Sequence, residues 1–360
     1  MRRLSYFLMF LFGFVLHASA MAAEWNKVLE GAKKEGRVVV SGGAAYVEVF
    51  AEFQKKYPEI KVVSISGTGT QLLPRIITER RAGKYLVDIS VSGPGTTYNV
   101  LHKAKALDPI KPALILPEVL DESKWWKGKH SYHDEEEQYI FLFNRVPFLA
   151  WGYNTKLVNP GEINSHWDLL HPKWKGKIVL QDPTLQNALG ILRFYYYHPE
   201  LGPEFIRRLL TEMDVTASRD LRQIADWLAT GKFAISGLNE IRRVGLVNAK
   251  KQGLPVDWFS AQQFKEAPRL YTQDGSVTLL NRAPHPNAAR VAINWLLSRE
   301  GQMIFQKVRG DADSLRIDIP KDGIASHARR VEGPNYHLSD EGPDRTPVMK
   351  FVNEVWKRKN

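Results

Sequence analysis

Five turns in this sequence gather residue types that can hold a small polar solute. They are Ser41-Gly42-Gly43, Ser66-Gly67-Thr68-Gly69-Thr70, Ser92-Gly93-Pro94-Gly95-Thr96-Thr97, Asp182-Pro183-Thr184 and Ser236-Gly237-Leu238-Asn239-Glu240. Each follows a short apolar run and leads into a helical pattern, so backbone amides with no intrahelical partner cluster at the positive end of a helix. Open parallel sheets bind ligands outside the carboxyl ends of their strands, where such turns fall. Any one of these turns is equally read as an ordinary strand-to-helix connection capped by Ser or Thr. Their recurrence carries the functional reading. Micromolar capture needs about 8 kcal/mol. A helix end gives an anion about 0.3 to 1 kcal/mol, and a hydrogen bond to a charged group about 1.5 to 3 kcal/mol. Four or five contacts from several turns are therefore required, together with closure around the ligand.

Other reactive groupings are sparse. There is no GxSxG elbow, no HExxH helix and no GxxxxGK[ST] loop. His130, His133, Asp134, Glu135, Glu136 and Glu137 have the composition of a divalent-metal site, and a solvated hairpin tip explains them as well. Tyr195-Tyr196-Tyr197 could supply phenolates, but consecutive helix residues point in different directions, which favours packing. Cysteine is absent, which excludes disulfides, thiolate metal sites, a thiol nucleophile and a lipid-anchored cysteine at the leader junction.

The elements that must position these turns repeat one unit: apolar run, small-residue turn, helix. Runs at 37–40, 60–65 and 86–91 form one series; runs near 148–154, 177–180 and 232–235 form a second. Strands alternating with helices predict an α/β chain with mainly parallel sheets. From Asn281 to Gln306, Pro286 fits the first turn of a helix. Its apolar residues Ala288, Val291, Ala292, Trp295 and Leu296 share one face, while Arg290, Asn294 and Arg299 face water. Ser298 is the expected N-cap of a following helix through Phe305. A last helix carries Val348, Phe351, Val352 and Val355 on one face and is expected to pack on the first lobe.

Residues 1–23 have two arginines, an apolar run and small residues at Ala18, Ala20, Ala22 and Ala23, the layout of a secretory signal peptide. No later segment approaches the roughly 20 apolar residues of a membrane helix. About 340 residues remain after export, which predicts two domains. The net charge of +11 falls to +9 without Arg2 and Arg3 and favours encounter with anionic solutes. The basic residues are scattered rather than striped with aromatics, which argues against nucleic acid.

Several strings carry a resemblance: WNKVLEGAKKEGRVVVSG from Trp25, LVDISVSG from Leu86, WGYNTKLV from Trp151, HPKWKGKIVLQDP from His171 and the tail from His285. Through them the chain resembles the periplasmic solute-binding proteins of ABC importers, in the branch that includes the ferric-ion-binding proteins. The resemblance implies a two-lobed, type II, hinge-bending fold with two crossover strands. Lobe 1 is expected at 24–147 and 280–360, and lobe 2 at 148–279. It also implies a monomeric, non-enzymatic periplasmic protein, without cofactor or membrane insertion, that hands its solute to an inner-membrane permease. The expected ligand contacts are Ser41, Gly42, Thr68, Gly69, Thr70, Ser92 and Gly93 in lobe 1 and Asp182, Thr184 and Asn239 in lobe 2. The first set would hold an oxyanion; Asp182 and Asn239 would read donors. Arg75 and Arg242 are candidate counter-charges, each alternatively a surface helix residue. Ferric binders of this branch place two adjacent tyrosines shortly after an Asn such as Asn239. Here Glu240 and Ile241 occupy those places. The solute implied is a phosphonate, phosphate sugar or carboxylate; ferric ion with a synergistic anion is the alternative, followed by a periplasmic enzyme on the same scaffold.

Overall fold

The apolar periods resolve into strands and helices in a computed structural model that describes residues 21–241, 243–266, 269–330, 336–338 and 345–357. Residues 1–20, where most of the expected signal peptide falls, and Arg242 lie outside the described residues. The chain divides into two compact units. The first holds the residues up to Val146 and Thr272–Arg330; the second holds Pro147–Tyr271 and the tail beyond Arg330.

The first unit opens with helix α1 (residues 21–35), which ends at Gly36, where a φ of +70° suits glycine. Strand β1 (Arg37–Gly42) leads to α2 (Ala44–Lys56), which buries Tyr46, Val49, Phe50 and Phe53 at helical spacing. Then come β2 (Lys61–Ser66), α3 (Gly69–Arg81), β3 (Ile89–Ser92) and α4 (Pro94–Thr97). β1 pairs in parallel with β2 (Gly42 opposite Ser66) and with β3 (Gly42 opposite Val91), so three small-residue turns leave one edge of the sheet side by side. Beyond β4 (Leu107–Asp108) and α5 (Pro117–Leu120), a hairpin of β5 (Ser131–Tyr132) and β6 (Phe141–Leu142) completes this part.

The chain leaves through β7 (Val146–Pro147). The second unit runs β8 (Gly152–Asn154), β9 (Ile178–Gln181), α6 (Gln186–Tyr197), α7 (Gly202–Glu212), β10 (Thr216–Ser218), α8 (Leu221–Ala229), β11 (Ile235–Gly237), α9 (Leu246–Lys251), β12 (Val256–Trp258) and β13 (Arg269–Tyr271). Its sheet has the order β10-β9-β11-β8-β12, with β9, β10 and β11 parallel and β8 and β12 antiparallel to their neighbours. The chain returns to the first unit as β14 (Ser276–Leu280), antiparallel to β3, followed by α10 (Pro286–Leu297) and α11 (Arg299–Arg309). Each of these two sheets thus has three parallel strands on one side, running out to β2 or β10 at the edge, and antiparallel strands on the other. The tail adds β15 (His337–Leu338), parallel to β13, and α12 (Thr346–Lys357).

Helix α10 explains why its sequence stands out. Pro286 occupies its first turn, and the Glu35 carboxylate accepts from the amides of Asn287 (3.1 Å) and Ala288 (2.7 Å), filling two donors that a helix start leaves unpaired. Ser298 caps α11 by accepting from Gly301 N at 3.1 Å, as its position predicts. Asn294 corrects the expectation of a water-facing residue, because it is wholly buried. Its Oδ1 accepts from Ile115 N (2.8 Å) and Leu116 N (2.9 Å), and its Nδ2 donates to Ala113 O (2.7 Å). It ties off backbone groups of a loop far away in sequence.

Helix α12 also departs from expectation. Its apolar face is the predicted one, yet Val348, Val352 and Val355 join the core of the second unit, and Phe351 meets the Tyr196 ring at 5.5 Å. The same core encloses a polar knot. Glu266 is buried and accepts from Ser165 Oγ (2.5 Å), His166 N (3.0 Å) and His166 Nδ1 (3.0 Å). Burial alone would raise its pKa, but these bonds outweigh it and hold the carboxyl at about 2. His198 is pushed down to about 4 by burial and by His337, whose ring centre lies 4.6 Å away. Both shifts predict acid lability. The neutral His198 is favoured by folding, so stability falls as pH drops from 6.5 to about 4; the ionised Glu266 is favoured, so stability falls again from 4.5 to about 2. At about 1.4 kcal/mol per pH unit of separation, each group contributes at most about 3.5 kcal/mol. Urea midpoints should decline steadily below about pH 6.5; a profile that stays flat down to pH 4 would contradict the assignment of His198.

Candidate functional site

In the first unit the strand ends supply backbone more than side chain. Gly43 caps α2 with no side-chain bond, and the amides of Ala44 and Ala45 fall in the first turn, where no intrahelical acceptor exists. Gly42 is needed for contact, because a Cβ there would stand 3.1 Å from Val91 O and 3.3 Å from the Tyr46 ring. Ser41 is buried, and among the described residues its hydroxyl has no partner; Ser90, opposite it in β3, is in the same condition. Thr68 starts α3, but its hydroxyl donates to Gln71 Oε1 (2.9 Å) and lies 3.0 Å from Thr70 Oγ1, so the helix start itself occupies it. The Ser92 hydroxyl pairs with Thr97 Oγ1 at 2.7 Å, and Gly93 opens α4. Gly69 lies against Ser92, a Cβ on it being 3.5 Å from the Ser92 Cβ, which brings the second and third turns together.

The second unit offers Asp182, Thr184 and Asn239 at the ends of β9 and β11. Asp182 Oδ1 accepts from Thr184 N (2.9 Å) and Thr184 Oγ1 (2.7 Å), and its Oδ2 lies 3.6 Å from Arg219 Nε. The carboxylate therefore shapes its own turn and holds an exposed guanidinium beside it. Asn239 is buried. Its Nδ2 donates to Gly237 O (2.8 Å), and its Oδ1 has no partner among the described residues. A buried acceptor without a donor costs about 1 to 3 kcal/mol, so stability does not explain the placement of Asn239 Oδ1. Arg75 forms an i,i+4 pair with Glu79 at 2.7 Å on the surface of α3, the plain surface role.

Two groups that the sequence does not advertise also stand at these turns. Arg243 Nη1 donates to Asn187 Oδ1 (3.0 Å) in the first turn of α6. In the first unit, Arg309 Nη1 donates to both oxygens of Asp274 (2.8 and 2.7 Å), and Asp274 Oδ2 lies 3.4 Å from the place a Cβ on Gly43 would take. The intervals separating residues 43, 274 and 309 hide this grouping; only the fold closes it.

The remaining candidates resolve into structure. Asp134 accepts from the amides of Gln138 (2.7 Å) and Ile140 (2.7 Å) and organises the β5–β6 hairpin loop, while His130 is buried against Trp125 and Phe141. Among the described residues no three His, Cys, Asp or Glu gather as a metal site. Tyr195 is a core residue that accepts from Trp151 Nε1 at 2.7 Å, and burial pushes its hydroxyl well above the ordinary range.

A family model described as bacterial extracellular solute-binding protein matches residues 38–303. The chain belongs to this family. Solved structures with the same fold include FutA (IdiA) of Trichodesmium in complex with iron and citrate, with 20% identity, 89% of this chain and 99% of that one covered, and a TM-score of 0.66. An ABC transporter protein from Clostridium perfringens gives 17% identity, 89% and 99% coverage and 0.62. Iron-bound HitA from Pseudomonas aeruginosa gives 17%, 89% and 99%, and 0.59. This solute-binding protein thus has the two-lobed periplasmic-binding fold and is the substrate-binding component of an ABC importer, with a small-molecule ligand and a permease as partners. Among the described residues no helix is long and apolar enough to cross a membrane.

Proposed function

We propose that this solute-binding protein captures a small anionic or polar organic solute of phosphonate, phosphate-sugar or carboxylate type in the periplasm and delivers it to its permease without chemical change. The observation that carries the reading is shared by both units: adjacent parallel strands end in Gly-, Ser-, Thr- and Asn-rich turns that open helices. The proposed contacts are the turn amides at Gly42, Gly43, Gly69, Thr70 and Gly93 for an oxyanion, supported by the unpartnered hydroxyl of Ser41, while the hydroxyls of Thr68 and Ser92 stay paired and shape their own turns. Asp182, Thr184 and the unpartnered Asn239 Oδ1 would contact the rest of the solute. Each contact is worth only about 1.5 to 3 kcal/mol at best, so several must act together.

Ferric ion is the competing cargo, since iron is bound in two of the similar structures. The hard ion wants anionic oxygen ligands. Here Ile241 lies wholly inside a core cluster of the second unit with Val179, Ile224 and Leu246, and no phenolate stands in its place. That weighs against a two-tyrosine ferric site.

A thermal-shift screen of the exported protein against phosphonates, phosphate sugars, dicarboxylates and Fe(III)-citrate tests the reading. A bound organic anion at a hundredfold excess over its Kd should add about 2.7 kcal/mol to apparent stability. Stabilisation by none of the organic solutes would sink the proposal.

A further inference from the structure

We propose that Asp274 reads a hydrogen-bond donor on the solute, so that the cargo carries an ammonium or hydroxyl group beside its oxyanion. The inference rests on the strand-end turns being the solute site, and it narrows the class of solute they take.

The Asp274 carboxylate stands beside Gly43 at the start of the 13-residue helix α2, with Oδ2 3.4 Å from the position of a Cβ on Gly43. An oxyanion of the solute would be drawn to the same place by the helix amides. The protein has put a negative group there and fixed it from two sides. Arg309 Nη1 donates to Oδ1 (2.8 Å) and Oδ2 (2.7 Å), Arg309 Nη2 donates to Gln273 Oε1 (2.9 Å), and Nε donates to Asp311 Oδ1 (3.2 Å). The Tyr46 hydroxyl donates to the Asp274 carbonyl at 2.8 Å, and the Tyr46 ring stacks on Phe305 with planes 7° apart. Neither the backbone nor the side chain of Asp274 can swing away without breaking a partly buried bond.

An ionised carboxylate has about four acceptor sites and no donor. Arg309 takes one on each oxygen, and 31% of the Asp274 side chain remains exposed, so acceptor capacity is left facing outward. Because Arg309 balances the charge of Asp274, the turn amides of α2 and α3 can still receive an oxyanion nearby. A second anionic group placed against Asp274 would meet repulsion, whereas an ammonium or hydroxyl would gain a charge-assisted hydrogen bond. Selection of this kind is strong because a solute lacking the donor leaves the carboxylate's acceptors unused and desolvated.

The test is calorimetric titration of the wild type with two matched pairs, succinate against aspartate and ethyl phosphate against phosphoethanolamine. The amine-bearing member of at least one pair should bind about tenfold tighter or better. Asp274→Asn keeps an acceptor for Arg309 and should reduce that preference to about threefold or less, with affinity for the bare anion unchanged or increased. Equal binding of bare and amine-bearing anions by the wild type would overturn this inference alone, and that comparison holds even if the variant fails to fold. A preference that survives Asp274→Asn would overturn it too. Failure of all four compounds, together with failure of every organic anion in the thermal-shift screen, would instead remove the reading of the turns on which it rests.

Discussion

Gly237→Ala should destabilise the second unit by about 3 kcal/mol, toward the upper end of what overpacking a core costs. Gly237 ends β11, the strand between β9 and β8, and a Cβ there would fall on the six-membered ring of Trp151. That indole cannot retreat easily. Trp151 is buried, and its Nε1 donates to the Tyr195 hydroxyl at 2.7 Å within the same core. The φ of Gly237 is not among the positive values, so the requirement is one of space and not of backbone conformation. A urea melt followed by tryptophan fluorescence measures the loss. Combining Gly237→Ala with Trp151→Leu should cost less than the sum of the two single changes, because the second removes the ring that the first collides with. Strict additivity would show that the collision is not the cause. The change also reaches the proposed site, since Gly237 O holds the Asn239 amide in place.

Loss of Asp88 should be larger still. Asp88 is wholly buried; its Oδ2 accepts from Val39 N (2.7 Å) and His285 Nδ1 (2.9 Å), and its Oδ1 accepts from His285 N (2.8 Å). Arg37 Nε donates to His285 Nε2 at 2.9 Å, which assigns the ring proton to Nδ1 and makes Asp88 its acceptor. This group joins β1 to the start of α10. Asp88→Ala leaves three buried donors unpaired, and a cost of about 3 to 5 kcal/mol is expected. Asp88→Asn should not restore stability, because its amide group must face donors on at least one side. Chemical denaturation of the two variants provides the check; a loss below about 1 kcal/mol for Asp88→Ala would show that the network is not coupled to folding.

These cases mark how far the sequence can be read. Pro286 and Ser298 announce α10 and α11 because helix starts are local, and the small-residue turns announce the ends of β1, β2, β3, β9 and β11 for the same reason. Asn294 misleads because its partners are the backbone groups of residues 113, 115 and 116, which period alone cannot foresee. The apolar face of α12 is visible in its spacing, whereas its place against α6 and α7 depends on where the tail crosses. The site divides in the same way. Its turn amides are legible, while the exposed Arg75 proves to be a surface pair with Glu79 and the Asp274–Arg309 pair emerges only when β14 and α11 bring residues 43, 274 and 309 together.

Cargo capture through these turns is tested most directly by titrating the solute that gives the largest thermal shift into the wild type and into Asn239→Ala. A single site of micromolar or tighter Kd is expected in the wild type, weakened about tenfold or more in the variant, because the buried acceptor proposed to meet the solute is removed. Equal affinities in the two proteins, or heat with Fe(III)-citrate alone accompanied by a tyrosinate absorption band, would contradict it.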